Sequence, residues 1–302
     1  MSLKNTAWHG SCDLSFINRF DCKSSNPYTI YQGIHKAPLK LLRASRKSDG
    51  RCELPILHTA GGLVGGDRLT LKVIAQEGSR SLLTNVAAQK VYGSVGRLKG
   101  QPEGKWVNQD CHFDIHEDAD LEWMPQEIIV FANGLYSQHM HVEIAPSSSF
   151  LSAEVVRLGR SSAGETLGSG CWRSSLEISR KLKEGKSWVF VDRLELSGEA
   201  LTAQNGMANQ SVLGSFVWVA PTYLNQEKID QLLEACREKR EGLKGSMSCS
   251  AIDQGISARY IGSSTQEARS WFFRIWILIR KVRSLNIPEP LRVWPMQEDL
   301  SL

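Results

Sequence analysis

The run His58-Thr59-Ala60-Gly61-Gly62-Leu63-Val64-Gly65-Gly66-Asp67-Arg68-Leu69 lies between two strand-like stretches, Leu54 to His58 and Arg68 to Ala75. Four of the six positions from Gly61 to Gly66 are glycine. Each glycine costs roughly 0.5–1 kcal/mol relative to Ala in a regular element, yet adopts φ > 0 without a steric penalty. Accepting that cost four times implies a backbone that turns tightly or is approached closely. A phosphate cradle would require Gly-x-x-x-x-Gly-Lys-Ser/Thr, or Gly-x-Gly-x-x-Gly opening a helix. Neither is present, and Leu69, Leu71 and Val73 alternate like a strand. Two readings remain: a hairpin-like connection, since glycine clusters commonly mark turns, or a functional loop that places Asp67 in a cavity.

The flanking sequence is mostly strand. Ala7–Phe16, Thr29–Gly33 and Pro38–Arg43 are expected strands, with a polar loop from Asp21 to Pro27. Arg68–Ala75 and Arg80–Thr84 are separated by Gln76-Glu77-Gly78-Ser79, a hairpin-type signal. From Trp106 to Leu196 strand patterns are dense. Val107, Gln109, Cys111, Phe113 and Ile115 fall on one face, and Asp110, His112, Asp114 and His116 on the other, because strand side chains alternate. Asn133-Gly134 reads as the strongest hairpin turn. Trp172–Leu182 and Ser187–Leu196 are expected to pair across Lys183–Lys186.

The period then changes. Ile229, Leu232, Leu233 and Cys236 predict one helical stripe over Gln226–Glu241, stopped by Gly242 and Gly245. Strands are expected at Gly245–Ile252 and Gly255–Ile261. A last helix, with Thr265 as N-cap, is expected to run to about Leu285. It is apolar nearly all round, with Trp271, Phe272 and Trp276 among its large residues. Such a helix is either buried or faces a partner. The fold class implied is a single β-rich α+β domain over residues 1–302: stacked or layered, mostly antiparallel sheets with two helices in the C-terminal third.

Composition narrows function. The 302 residues carry a net charge of +4, with 41% hydrophobic and 23% charged residues. The charge is too small and too scattered to indicate nucleic acid. Cysteines at 12, 22, 52, 111, 171, 236 and 249 form no Cys-x-x-Cys, which implies reduced thiols and a cytoplasmic setting. Met1 to Phe16 lacks the pattern of a signal peptide. The apolar run Ile275–Ile279 is far short of the ~20 residues that span a bilayer.

Two constellations could carry chemistry. His112 and His116 on one strand, with His139 and His141 on another, could contact a borderline metal, or be the solvated face of a half-exposed sheet. A metal-dependent hydrolase would use them. The acidic set is Asp67, Glu127, Glu154 and Glu165. Glu154 stands in an apolar strand, where an unpaired carboxylate is costly; it needs a partner such as Arg157 or Arg160, or it lines a wet cavity. No Gly-x-Ser-x-Gly elbow and no His-Glu-x-x-His supports nucleophilic or zincin catalysis.

Six segments in order resemble one family. HTAGGLVGGDRL is followed by LLTNVAAQKVYGS, LEWMPQEIIVF at Leu121–Phe131, EVVRLGRSSAGE at Glu154–Glu165, ARYIG at Ala258–Gly262 and RVW at Arg292–Trp294. Together they resemble the urease accessory protein UreD (UreH) family, with Thr59-Ala60 where that family usually has Pro-Pro. The resemblance implies a β-rich stacked fold and a urease maturation chaperone rather than an enzyme. It implies partners: apo-urease, an all-helical UreF-like accessory protein, and through it a UreG-like GTPase. It implies no tightly bound cofactor, only transient nickel moving through a water-filled internal passage. Asp67, Glu127 and Glu154, with Glu165 weaker, are the candidates to line that passage; Gly61, Gly62, Gly65 and Gly66 shape the loop beside it. Trp271, Phe272 and Trp276 are candidates for a partner interface. A β-rich binding module without a metal role is a further alternative.

Overall fold

A computed structural model describes residues 7–20 and 26–294. Positions 21–25 of the expected Asp21–Pro27 loop lie outside the described residues. In chain order the first strands are β1 (His9–Phe20), β2 (Pro27–Lys36), β3 (Leu39–Leu41), β4 (Ser45–Arg46), β5 (Cys52–His58), β6 (Arg68–Ala75), β7 (Arg80–Asn85), β8 (Gln89–Val91) and β9 (Val107–Ile115). There follow β10 (Asp120–Trp123), β11 (Ile128–Val130), β12 (Leu135–Ile144), β13 (Ser149–Leu158), β14 (Cys171–Lys181), β15 (Lys186–Leu196) and β16 (Val212–Val219). The chain then forms α1 (Gln226–Glu238), β17 (Ser246–Ile252), β18 (Gly255–Gly262) and α2 (Thr265–Val282). The β-rich α+β class and the two late helices are as the pattern predicts.

Two sheets stack. One has the order β15-β14-β12-β9-β6-β1-β2; the other runs β17-β18-β16-β13-β10-β7-β5-β3, with β4, β8 and β11 attached. The expectation of mostly antiparallel pairing is corrected here. The centre of both sheets is parallel: β6, β9, β12 and β14 in one, and β5, β7, β10 and β13 in the other. From β5 to β14 the chain steps back and forth between the sheets, so neighbours within a sheet are one coil apart and run the same way. Parallel strands need a long crossover, usually a helix. Here a strand of the opposite sheet serves as the crossover.

The same geometry overturns two hairpin assignments. Asn133-Gly134, with Asn133 at φ 62°, turns the chain from β11 in one sheet to β12 in the other. Gln76–Ser79 likewise joins β6 to β7 across the stack. The β14–β15 hairpin forms as expected, and the two expected strands β17 and β18 pair with each other.

Two apolar layers result. Between the sheets pack Phe16, Phe113, Leu121, Trp123, Tyr136 and Phe150, with Phe113 edge-on to both Trp123 and Phe150. On the outer side of the larger sheet, Phe216, Trp218 and Tyr260 meet α1 and α2. The α1 stripe Ile229, Leu232, Leu233 and Cys236 is buried as its spacing predicts. Helix α2 is capped by Ser264, one residue before the expected Thr265, because the Ser264 side chain accepts the Glu267 amide.

Trp271, Phe272 and Trp276 are 0%, 1% and 1% exposed, so the partner-interface assignment is corrected to core packing. Trp271 donates its indole N–H to Cys236 O at 3.0 Å, and Trp276 donates to Glu122 Oε1 at 2.8 Å. Among the described residues no helix is long and apolar enough to cross a membrane.

Candidate functional site

The glycine run follows β5 and precedes β6. Asp67 is buried and organises it: Oδ1 accepts the Trp8 amide at 2.8 Å, and Oδ2 accepts the Val64 amide at 2.9 Å. Its own N–H donates to Val64 O at 3.0 Å. Gly65 is required by close approach, since a Cβ there would stand 2.4 Å from Ser94 Oγ and 2.8 Å from Lys105 O. Gly66 sits at φ 101°, where glycine alone is unstrained. The loop is a septum. Gly61 and Gly62 face a cavity of about 270 Å³ shared with His58, Asn85, Gln89, Gln109 and Trp123. Val64, Gly65 and Asp67 face a different cleft of about 310 Å³. Burial pushes the His58 imidazole below its ordinary pKa, with Asp67 pulling partly the other way.

Deeper between the sheets, β12 and β13 bring a polar group into the apolar layer. Glu154 of the larger sheet accepts both its Oε1 and Oε2 contacts from Gln138 Nε2 of the smaller sheet at 2.9 Å. Trp123 Nε1 donates to Oε1 at 3.1 Å, and Tyr136 Oη donates to Gln138 Oε1 at 3.0 Å, which fixes the amide. Burial raises the Glu154 pKa, opposed in part by the Trp123 and Gln138 hydrogen bonds. Its remaining surface opens onto a cavity of about 140 Å³ lined also by Ser152, Ser215, Ser248, Ser250 and Ser257 and by the ion pair Asp192–Arg259. Trp123 therefore stands between the two spaces: it lines the cavity at the glycine loop and hydrogen-bonds the carboxylate that lines the next.

Of the two alternatives for Glu154, an arginine partner or a cavity, the structure has the cavity. Arg157 bonds Ser161 and Ser263 O, and Arg160 pairs with Glu165. Among the described residues no arginine pairs with Glu154, and neutral donors hold it.

The other candidates are dispersed. Glu127 pairs with Arg269 of α2 at 3.1 Å, on the helix side of the larger sheet. Glu165 is held below its ordinary pKa by the Ala132 amide and, behind it, Arg160, which makes it a loop anchor. His112 and His141 are register partners on β9 and β12, with ring centroids 6.5 Å apart. His141 lies 3.4 Å from Glu143 and 3.8 Å from Glu177, His116 lies 3.4 Å from Asp114, and His139 is exposed. Among the described residues no three such side chains converge on one point. These histidines occupy the outer face of the smaller sheet.

A buried charge cluster carried no sequence signal. Arg51 meets Asp120 at 2.8 Å and Glu122 at 3.5 Å; Arg280 meets Glu122 at 2.7 Å and Asp49 at 3.2 Å; Arg283 meets Asp120 at 2.8 Å. Burial would raise the Asp120 carboxyl, but Arg283 and Arg51 hold it well below the usual range. Three cations face three anions, so the cluster is neutral and ties α2 to the sheet.

Comparison with known proteins gives one answer along the chain. The family model described as UreD urease accessory protein matches residues 9–295. A protein named urease accessory protein UreD from Prochlorococcus marinus (strain MIT 9303) is 54% identical over 293 residues, covering 97% of this chain and 98% of the relative. Proteins of the same name from Synechococcus sp. strains WH7805 and CC9311 are 52% and 49% identical, each over 96% of this chain and covering 92% and 96% of the relatives.

Proposed function

The chain belongs to the UreD urease accessory protein family, and from that premise we propose that it serves urease maturation as a non-enzymatic chaperone in the cytoplasm. In this reading it binds apo-urease and a UreF-like helical accessory protein, and through the latter a UreG-like GTPase. Nickel is cargo, held transiently on its way to the urease active site.

One observation carries the nickel part of the proposal: Glu154, a half-buried carboxylate between the sheets, has no ion-pair partner among the described residues and opens onto a largely serine-lined cavity whose cation, Arg259, is taken by Asp192. Oxygen sites of this kind bind a cation weakly enough that it can leave. A closed thiolate or imidazole site would trap it. In this reading nickel passes from the Gly61–Gly62 cavity by Trp123 and Gln138 to Glu154, while Asp192 is held by Arg259. Asp67 belongs to this reading as the residue that shapes the septum, because both its oxygens are taken by amides.

The test is Glu154→Gln, which keeps size and hydrogen-bonding capacity and removes the charge. Urease activation in a urease-positive host is expected to fall about tenfold or more, as when one charged contact worth ~1.4 kcal/mol is lost. Co-purification with urease and the helical partner is expected to stay intact. Full activation by the variant would remove Glu154 from the path.

A further inference from the structure

The cleft of about 310 Å³ on the other side of the glycine septum has a different character from the inter-sheet seam. Three exposed apolar side chains line it: Trp8 at 52%, Val64 at 41% and Leu98 at 49%. Single exposed apolar residues are ordinary, but a cluster in a concavity marks an interaction site. Arg97 and Lys105 line the same cleft and are exposed. Neither has a carboxylate at ion-pair distance among the described residues. The one carboxylate in the lining is Asp67, and its oxygens already accept the Trp8 and Val64 amides. The wall is thus apolar and net positive, with no acid of its own free to neutralise it.

The segment bearing both cations is preformed. Gly96 donates to Pro102 O at 2.8 Å, Gln101 donates to Leu98 O at 3.0 Å, and Lys105 donates to Ser94 Oγ at 2.6 Å. A ligand therefore has little backbone to order, which favours affinity.

The geometry points to this cleft as the docking site for an acidic segment of a partner protein, with an apolar side chain anchored between Trp8, Val64 and Leu98 and flanking Asp or Glu residues on Arg97 and Lys105. A free cation is repelled by the same charges. A second copy of this chain meeting the cleft about a two-fold axis would set Arg97 and Lys105 near themselves, like against like. The inference stands apart from the nickel seam, because its readout is peptide binding rather than urease activation.

Fluorescence anisotropy on the full chain tests it, with a short labelled peptide of Glu, Asp, Leu and Phe as probe. Saturable binding that weakens with added salt is expected. The double variant Arg97→Glu/Lys105→Glu is expected to lose about tenfold or more in affinity, and Leu98→Ala several-fold. In the double variant, the matching peptide with Lys for every acid is expected to bind better than the acidic one. All three substituted side chains are exposed, so far-ultraviolet circular dichroism is expected to be unchanged. Absence of saturable binding overturns the inference. So does equal affinity of the double variant, or equal binding of the lysine peptide to the unaltered chain.

Discussion

Glu154 carries a structural cost at the residue on which the proposed nickel path rests. Its carboxyl is half-buried against neutral donors, and desolvation raises its pKa in the folded chain. A carboxyl whose folded pKa lies above its unfolded value favours folding below the unfolded pKa, and that contribution is lost as pH rises through the folded pKa. At neutral pH, above the unfolded pKa, the Glu154 carboxyl therefore opposes folding. Glu154→Gln is expected to raise the melting temperature at pH 7, with the gain shrinking toward pH 4; calorimetry at both pH values checks the sign. A melting temperature that falls at pH 7 would mean the charge is stabilising. The strain was readable in sequence, as an acid among Leu151, Val155 and Val156. Its solution was not, because Gln138 is 16 residues away on another strand and Trp123 is 31 away.

At the scale of elements, β10 and α2 explain each other. Asp120, Leu121, Glu122 and Trp123 are all buried, although Asp-Leu-Glu-Trp reads as a half-exposed strand. Leu121 and Trp123 fill the layer between the sheets. Asp120 and Glu122 meet Arg280 of α2 and Arg283 at its C-cap, together with Arg51. Arg280, which interrupts an apolar helix, is thus part of its attachment. Removing one partner of such a cluster leaves an uncompensated buried charge, typically about 3–5 kcal/mol. Arg280→Ala is expected to lower unfolding free energy by roughly that amount, measured by urea denaturation. A loss within that of a surface substitution would show that the cluster does not anchor the helix. The same contact set answers the question the sequence left open about Trp271, Phe272 and Trp276. They are buried because sheet and helix both present aromatic faces, with Phe216 and Phe272 centroids 5.5 Å apart.

Across the whole molecule, the sheets are joined at the β15/β17 end by the ion pair Arg259–Asp192 at 2.7 Å, beside the cavity that Glu154 lines. Arg259→Gln is expected to speed amide exchange in β15, while β9 and β12, paired on both sides, keep their protection. Hydrogen exchange resolved by peptide checks this; uniform protection would show that apolar packing alone holds the edge. The residues themselves determined which segments are strand or helix, which faces are apolar, where the glycine loop lies and which family the chain resembles, because each is set by local propensity and by the spacing of side chains along a few turns or pleats. Tertiary structure alone decided that the central strands run parallel, that Asn133-Gly134 crosses between sheets, that Glu127 is paired and that Glu154 is not. Those outcomes depend on which distant strand arrives opposite, and a two-residue period with short turns is the same string whether the next strand pairs beside the last or crosses to the facing sheet.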